Sequence, residues 1–412
     1  MSMARILRFP GPAAAALVAA AMAGSMACGM APGDAIGDGA DGGSGAAGGY
    51  TADPFWPQPL PNHWILGSIT GVAVDASDRV WLVHRGSASL TVRTEEGLGT
   101  DPPTAEACCL AAPPVLAFDQ TGALVAHWGG PGQGYDWPQS PGGMDVDAQG
   151  NVWITAAGAP AGRGGGGRGG RGGRGGRGGA APPPPPEDAQ VLKFSSDGKL
   201  VLQIGKAGMV GAPDSTTSLN RPAAIAVDAA NNEVYVGDTG NRRVVVFDAT
   251  SGAYKRHWGA YGTPPDASMA PEAYTAGAPA AKQFRTISCI TLSRDGMVYV
   301  CDRDSNRLQV FRRDGTFVKE AVIAPATLGG GAVWDVALSS DPAQATLYVA
   351  DGQNQLVHVL SRETLAETGT FGGGGRWPGA FYGVGSIAVD SHGHVYTGEA
   401  LEGKRLQKFT AQ

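Results

Sequence analysis

Four arginines carry most of the chemical promise of this chain: Arg85, Arg221, Arg285 and Arg303. Each lies at the edge of a short alternating apolar run, as do Trp137, Trp334, Asp335 and Tyr382. Guanidinium groups grip carboxylates and phosphates through paired hydrogen bonds, and stack on flat rings. The set therefore predicts a site for an anionic or aromatic ligand. Gln139, Asp238, Asp302, Asp351 and Glu399 fall at comparable run ends. Asp238 with Asn241, Asp302 with Asn306 and Asp351 with Asn354 read as loop architecture: Asp caps backbone N–H groups and Asn tolerates a left-handed turn.

Other reactive types offer less. His63, His127 and His257 sit in edge-strand runs, His392 and His394 flank one turn, and His84 stands alone near the arginines, so no metal-ligand set is expected. No Cys-x-x-Cys, Gly-x-Ser-x-Gly or His-Glu-x-x-His pattern occurs, and no catalytic residue is assigned. Cys289 and Cys301 fall opposite each other if Leu292 pairs with Val298, as a disulfide or a buried thiol pair. Cys108 and Cys109 are adjacent, in a long loop, as a loop staple or a redox-active pair.

The elements that position these residues are best seen in Ile287–Ile323. Ile287–Leu292, Met297–Cys301, Arg307–Phe311 and Thr316–Ile323 alternate in hydropathy, and Arg294-Asp295-Gly296 and Arg313-Asp314-Gly315 turn the chain between strands. A lone four-stranded meander cannot cover both faces, so it needs copies of itself. Copies begin near Ile69, Gly143, Ala224, Val333 and Ser386, and an aromatic marks each second strand: Trp81, Trp153, Tyr235, Tyr299, Tyr348 and Tyr396. The sixth copy lacks an outer strand. Asn62-His63-Trp64-Ile65-Leu66-Gly67 resembles the outer strands around His127 and His257, and is predicted to close the ring.

Outside the repeats, Arg5 and Arg8 precede an Ala-rich apolar run ending at Cys28. Residues 1–27 read as a signal peptide and 28–54 as a Gly/Ala-rich tether. Cys28 is the lipidation candidate of a periplasmic or cell-envelope lipoprotein, and cleavage after Ala27 to give a secreted protein is the alternative. The membrane is then reached only through a lipid anchor. A basic Gly/Arg stretch and Pro182–Pro186 interrupt the second copy, giving an insertion at about 158–188 that could touch an acidic polymer. The net charge of −6 is mild and points to neither nucleic acid nor an anionic surface.

The repeats resemble NHL repeats, with Asp238-Thr-Gly-Asn241-Arg-Arg-Val-Val-Val-Phe247 and Asp302-Arg-Asp-Ser-Asn306-Arg-Leu-Gln-Val-Phe311 as their signatures. The resemblance spans about residues 55–409 and implies an all-β, six-bladed β-propeller. Trp56-Pro57, Leu60-Pro61, Gly67, Gly71-Val72-Ala73-Val74-Asp75 and Val83-His84-Arg85-Gly86 look like the opening of peptidyl-α-hydroxyglycine α-amidating lyase. That family holds a zinc with three histidines at the channel mouth. By repeat alignment those places are Gly142, Ile287 and Gly385 here, and the family's tyrosine falls in the shortened Asp238–Asn241 loop; only the arginine, Arg85, remains. The resemblance supports the fold and argues against the lyase reaction.

Two function classes follow. The first is an exported, monomeric, non-enzymatic propeller binding a protein, peptide or anionic small ligand, without cofactor apart from a calcium ion the channel could hold. The second is a lyase or hydrolase with a different site around Arg85.

Overall fold

The computed structural model describes residues 49–91, 95–158, 187–269 and 273–412. The leader, Cys28 and most of the Gly/Arg/Pro insertion lie outside the described residues. Six four-stranded antiparallel sheets follow in chain order as the blades of a propeller. Blade one is Ile69–Val74, Val80–His84, Val115–Phe118 and Leu124–Trp128; blade two is Pro141–Val146, Val152–Ala156, Gln190–Phe194 and Leu200–Gly205. Blade three is Pro222–Asp228, Glu233–Asp238, Arg243–Asp248 and Tyr254–Trp258; blade four is Ile287–Leu292, Met297–Asp302, Arg307–Arg312 and Phe317–Val322. Blade five is Asp335–Leu338, Thr346–Asp351, Leu356–Ser361 and Glu367–Gly372. Blade six is Val384–Val389, Val395–Glu399 and Leu406–Ala411, with Tyr50–Ala52 as its outer strand.

Each blade contributes apolar side chains to two seams. One core joins blades one and two through Trp81, Met144 and Phe194, and another joins blades three and four through Tyr235, Ile287 and Phe311. The second and third strands are buried on both faces, whereas outer strands such as Leu124–Trp128 alternate toward solvent. Turns between first and second strands reuse one device. Asp75, Asp147 and Asp390 each accept backbone N–H groups two and four residues on, and each also receives Trp81 Nε1, Trp153 Nε1 or the Tyr396 hydroxyl. Blade four pairs Cys289 with Cys301 and Leu292 with Val298, and a disulfide joins the two cysteines. Cys108 and Cys109 are likewise bonded to each other.

The ring closes through an N-terminal strand, but not the expected one. Tyr50–Ala52, inside the stretch read as tether, pairs with Phe409–Ala411. Tyr50 stacks on Phe371 at 4.5 Å and its hydroxyl bonds that of Tyr348 at 2.7 Å. Asn62 and His63 instead adopt left-handed φ of 57° and 55°, which breaks an extended strand. Trp64–Ile65 pairs in parallel with Leu110–Ala111 of the long blade-one loop, and Trp64 packs on His127.

Candidate binding site at the channel mouth

The ends of the second strands build the site. There, His84, Asp238, Asp302 and Glu399 each bind the backbone of the loop entering their own blade. His84 Nδ1 accepts the N–H groups of Gly67 and Gly86 at 3.0 Å each while Nε2 donates to the Pro113 carbonyl. Burial pushes this histidine down to about 4, so it is neutral and structural. Asp238 Oδ1 accepts from Asn220, Asp302 Oδ1 from Arg285 and Thr286, and Glu399 from Tyr382. Across the pair, buried arginines complete the lock. Arg243 Nε lies 2.9 Å from Asp238 and Arg307 Nε 2.9 Å from Asp302. Blade two has Ala156 at this position, and its role passes to Asp188, at the end of the insertion. The Asp188 carboxylate accepts from Gln139, Ser140 and Gly158. No motif marks Asp188; its only signal is its place just before the third strand.

In five blades the residue just past the second-strand end faces the channel mouth: Arg85, Ala157, Thr239, Arg303 and Ala400 all line a cavity of about 420 Å³. Arg221, Arg242 and Arg285 join them, so five arginines surround the cavity against one lining carboxylate, Asp304. Asp304 is itself held by the Thr286 hydroxyl at 2.6 Å and Arg303 Nε at 3.3 Å. Arg85 is mostly buried, and its Nε meets no hydrogen-bond acceptor. Burial, with the Arg303 charge across the mouth, lowers its pKa. Arg303 stacks on the Trp334 indole at 4.8 Å, and Trp334 Nε1 donates to the Gly331 carbonyl. Gly352 makes room for that ring, since a Cβ there would sit 2.9 Å from it.

Arg85, Arg221, Arg285, Arg303 and Trp334 thus converge as the strand-end positions predicted, and Arg242 is an addition. Its left-handed conformation (φ 54°) follows the Asp238–Asn241 turn, and its Nη1 donates to the Met269 carbonyl. Three candidates lie elsewhere. Trp137 packs between blades one and two, near Tyr135 and Phe194. Tyr382 is half-exposed outside the cavity, with Arg376 over its ring at 4.3 Å. Asp335 lies below the mouth in the central channel, a cavity of about 290 Å³ lined by first strands. Its two oxygens accept the N–H groups of Val336 and Ile387, and burial pushes its carboxyl up to about 7. Asp145 of blade two faces the same channel and is pushed up to about 6.

Gly142, Ile287 and Gly385, the places of the zinc histidines in the lyase resemblance, do meet at this cavity. None carries a ligand atom. A Cβ at Gly142 would lie 2.5 Å from Thr155 Oγ1, and one at Gly385 would lie 2.5 Å from the Ala400 methyl. These residues do not fit a zinc held in that way.

Residues 219–247 match the NHL repeat. Virginiamycin B lyase from Staphylococcus aureus, a catalytically inactive form with quinupristin, is 11% identical over 88% of each chain, with a TM-score of 0.44. A protein of unknown function from Bacteroides thetaiotaomicron is 13% identical over 84% of this chain and 70% of its own (TM-score 0.48). A gluconolactonase from Xanthomonas campestris is 16% identical over 69% of both chains (TM-score 0.38). The chain is a six-bladed β-propeller with a matched NHL repeat in blade three.

Proposed function

We propose that this propeller is an exported binding module whose channel mouth takes a carboxylate- or phosphate-bearing ligand, a small molecule or a peptide. The supporting observation is the Arg85 guanidinium, held in a largely buried position with an unpaired Nε among four further arginines. Burying a cation without a partner is costly, and an anion accepting that N–H would relieve the cost. Excess positive charge in a concave, low-dielectric mouth also raises the local concentration of anions. Trp334 supplies a stacking wall. The N-terminal reading places the protein in the cell envelope through a lipid on Cys28, or outside the cell if it is released.

The test is titration with citrate and pyrophosphate at low ionic strength, followed by tryptophan fluorescence. Saturable binding that weakens at least tenfold in Arg85→Met and Arg303→Met, and weakens with salt, supports the reading. Absence of binding, or binding unchanged in both variants, overturns it. A lyase or hydrolase around Arg85 is the second reading. It draws on Asp335, in the channel below the mouth, whose pKa of about 7 suits a general base.

A further inference from the structure

The turn joining the first two strands of blade six differs from its counterparts in carrying two imidazoles. Blades one and two build the same turn around Asp75 and Asp147, with Ser77 and Arg79 or Gln149 and Asn151 at the positions that His392 and His394 fill here. The two histidine rings lie nearly parallel, 5.9 Å apart with an interplanar angle of 28°. Asp390 Oδ2 is 2.7 Å from His394 Nδ1. That contact sets an imidazole nitrogen and a carboxylate oxygen side by side, as two ligands of one ion are. Ligand atoms of Asp390, His392 and His394 all fall within 4.8 Å of one another.

A carboxylate of the neighbouring blade borders this set of three. Asp78, in the blade-one turn, has Oδ2 3.5 Å from His392 Nδ1. Its carboxylate also accepts the Ser391 N–H and hydroxyl at 2.9 and 2.7 Å, so it is already docked against this turn. Two imidazoles with carboxylates suit a borderline divalent ion such as zinc or nickel over calcium or magnesium, which prefer all-oxygen shells. His392 is mostly exposed, so an ion has access and the ring can swing to meet it.

We propose that this turn is a binding site for a divalent transition metal, with His392 and His394 as nitrogen donors and Asp390 and Asp78 supplying carboxylate oxygens. The ion would bridge blades six and one, the seam where the chain closes on itself. The site is separate from the three ligand-free positions at the mouth and does not depend on the mouth's function.

The test is calorimetric titration of the chelator-stripped full chain, made without a polyhistidine tag, with zinc chloride at pH 7.5. One zinc per chain is expected, with affinity at least tenfold weaker in His392→Ala and in His394→Gln and abolished in the double variant. Asp78→Asn should weaken binding and remove the zinc-induced rise in melting temperature. Circular dichroism and melting in chelator should match wild type, which separates lost ligands from a lost fold. No binding in the wild type, or full-strength binding in the double variant, overturns the proposal.

Discussion

Replacing Arg307 by Met should remove a third or more of the stability of this propeller. Arg307 is almost wholly buried, and the Asp302 carboxylate it pairs with is completely so. Beyond Asp302, its Nη1 donates to the Tyr261 hydroxyl at 2.9 Å and the Ala281 carbonyl at 2.8 Å, and Nη2 to the Gln283 carbonyl at 3.1 Å. It thus ties the long blade-three-to-four connection to the blade-four lock. Methionine keeps the stem and loses every donor. Stranding a buried carboxylate costs about 3–5 kcal/mol. Each of the two orphaned carbonyls adds about 1 kcal/mol. The sum, about 5–7 kcal/mol, compares with the roughly 5–15 kcal/mol that holds a folded protein together. Urea unfolding followed by tryptophan fluorescence should show this loss. Burial already raises the Asp302 pKa, so the orphaned carboxyl will protonate readily and the deficit should narrow as the pH falls. Asp302→Asn/Arg307→Met should be more stable than Arg307→Met alone, because the charge is gone while the Asn oxygen still accepts from Arg285 and Thr286. A loss under about 1 kcal/mol for Arg307→Met, or a double variant no better than the single, would refute the reasoning.

Three further outcomes are expected. Truncation to Asp53 removes the closing strand and bares the Leu406–Ala411 edge; melting should fall and light scattering should report self-association, and an unchanged melting curve would exclude Tyr50–Ala52 as the closure. Asp335 holds its proton to about pH 7 when folded, against about 4 in an unfolded chain, so the native state binds the extra proton and stability declines as pH rises through that window, then levels off. Asp335→Asn should flatten that decline in urea midpoints measured from pH 4.5 to 8, and an unaltered slope would count against it. Cys289→Ala/Cys301→Ala opens a cross-link between residues 12 apart, which chain entropy values at about 3 kcal/mol; a urea midpoint equal to wild type would show that the bond contributes nothing.

The blades were legible in the sequence because strands and Asp-Gly turns are local. Alternation decides which side chains enter a seam, and the pairing of Cys289 with Cys301 follows from the turn at Arg294–Gly296. The convergence of Arg85, Arg221, Arg285 and Arg303 was equally readable, since a repeat places equivalent strand ends on one face of the ring. Tyr50–Ala52 was hidden because three residues carry no period, and the strand and the Phe371 and Tyr348 rings that Tyr50 meets lie some three hundred positions away. Asp188 takes the lock position of blade two across an insertion, and Trp137 fills a space shaped by Phe194, so neither could be placed by repeat alignment. Asp335 differs from a mouth residue by a single step along the strand from Trp334, and the alternation of the pleat sends one to the mouth and the other into the channel. Sequence determined the repeating unit and its polar ends, because those depend on near neighbours. The tertiary ring decided which ends share a cavity, what neutralises them and where the chain closes, because those depend on contacts between blades distant in the chain.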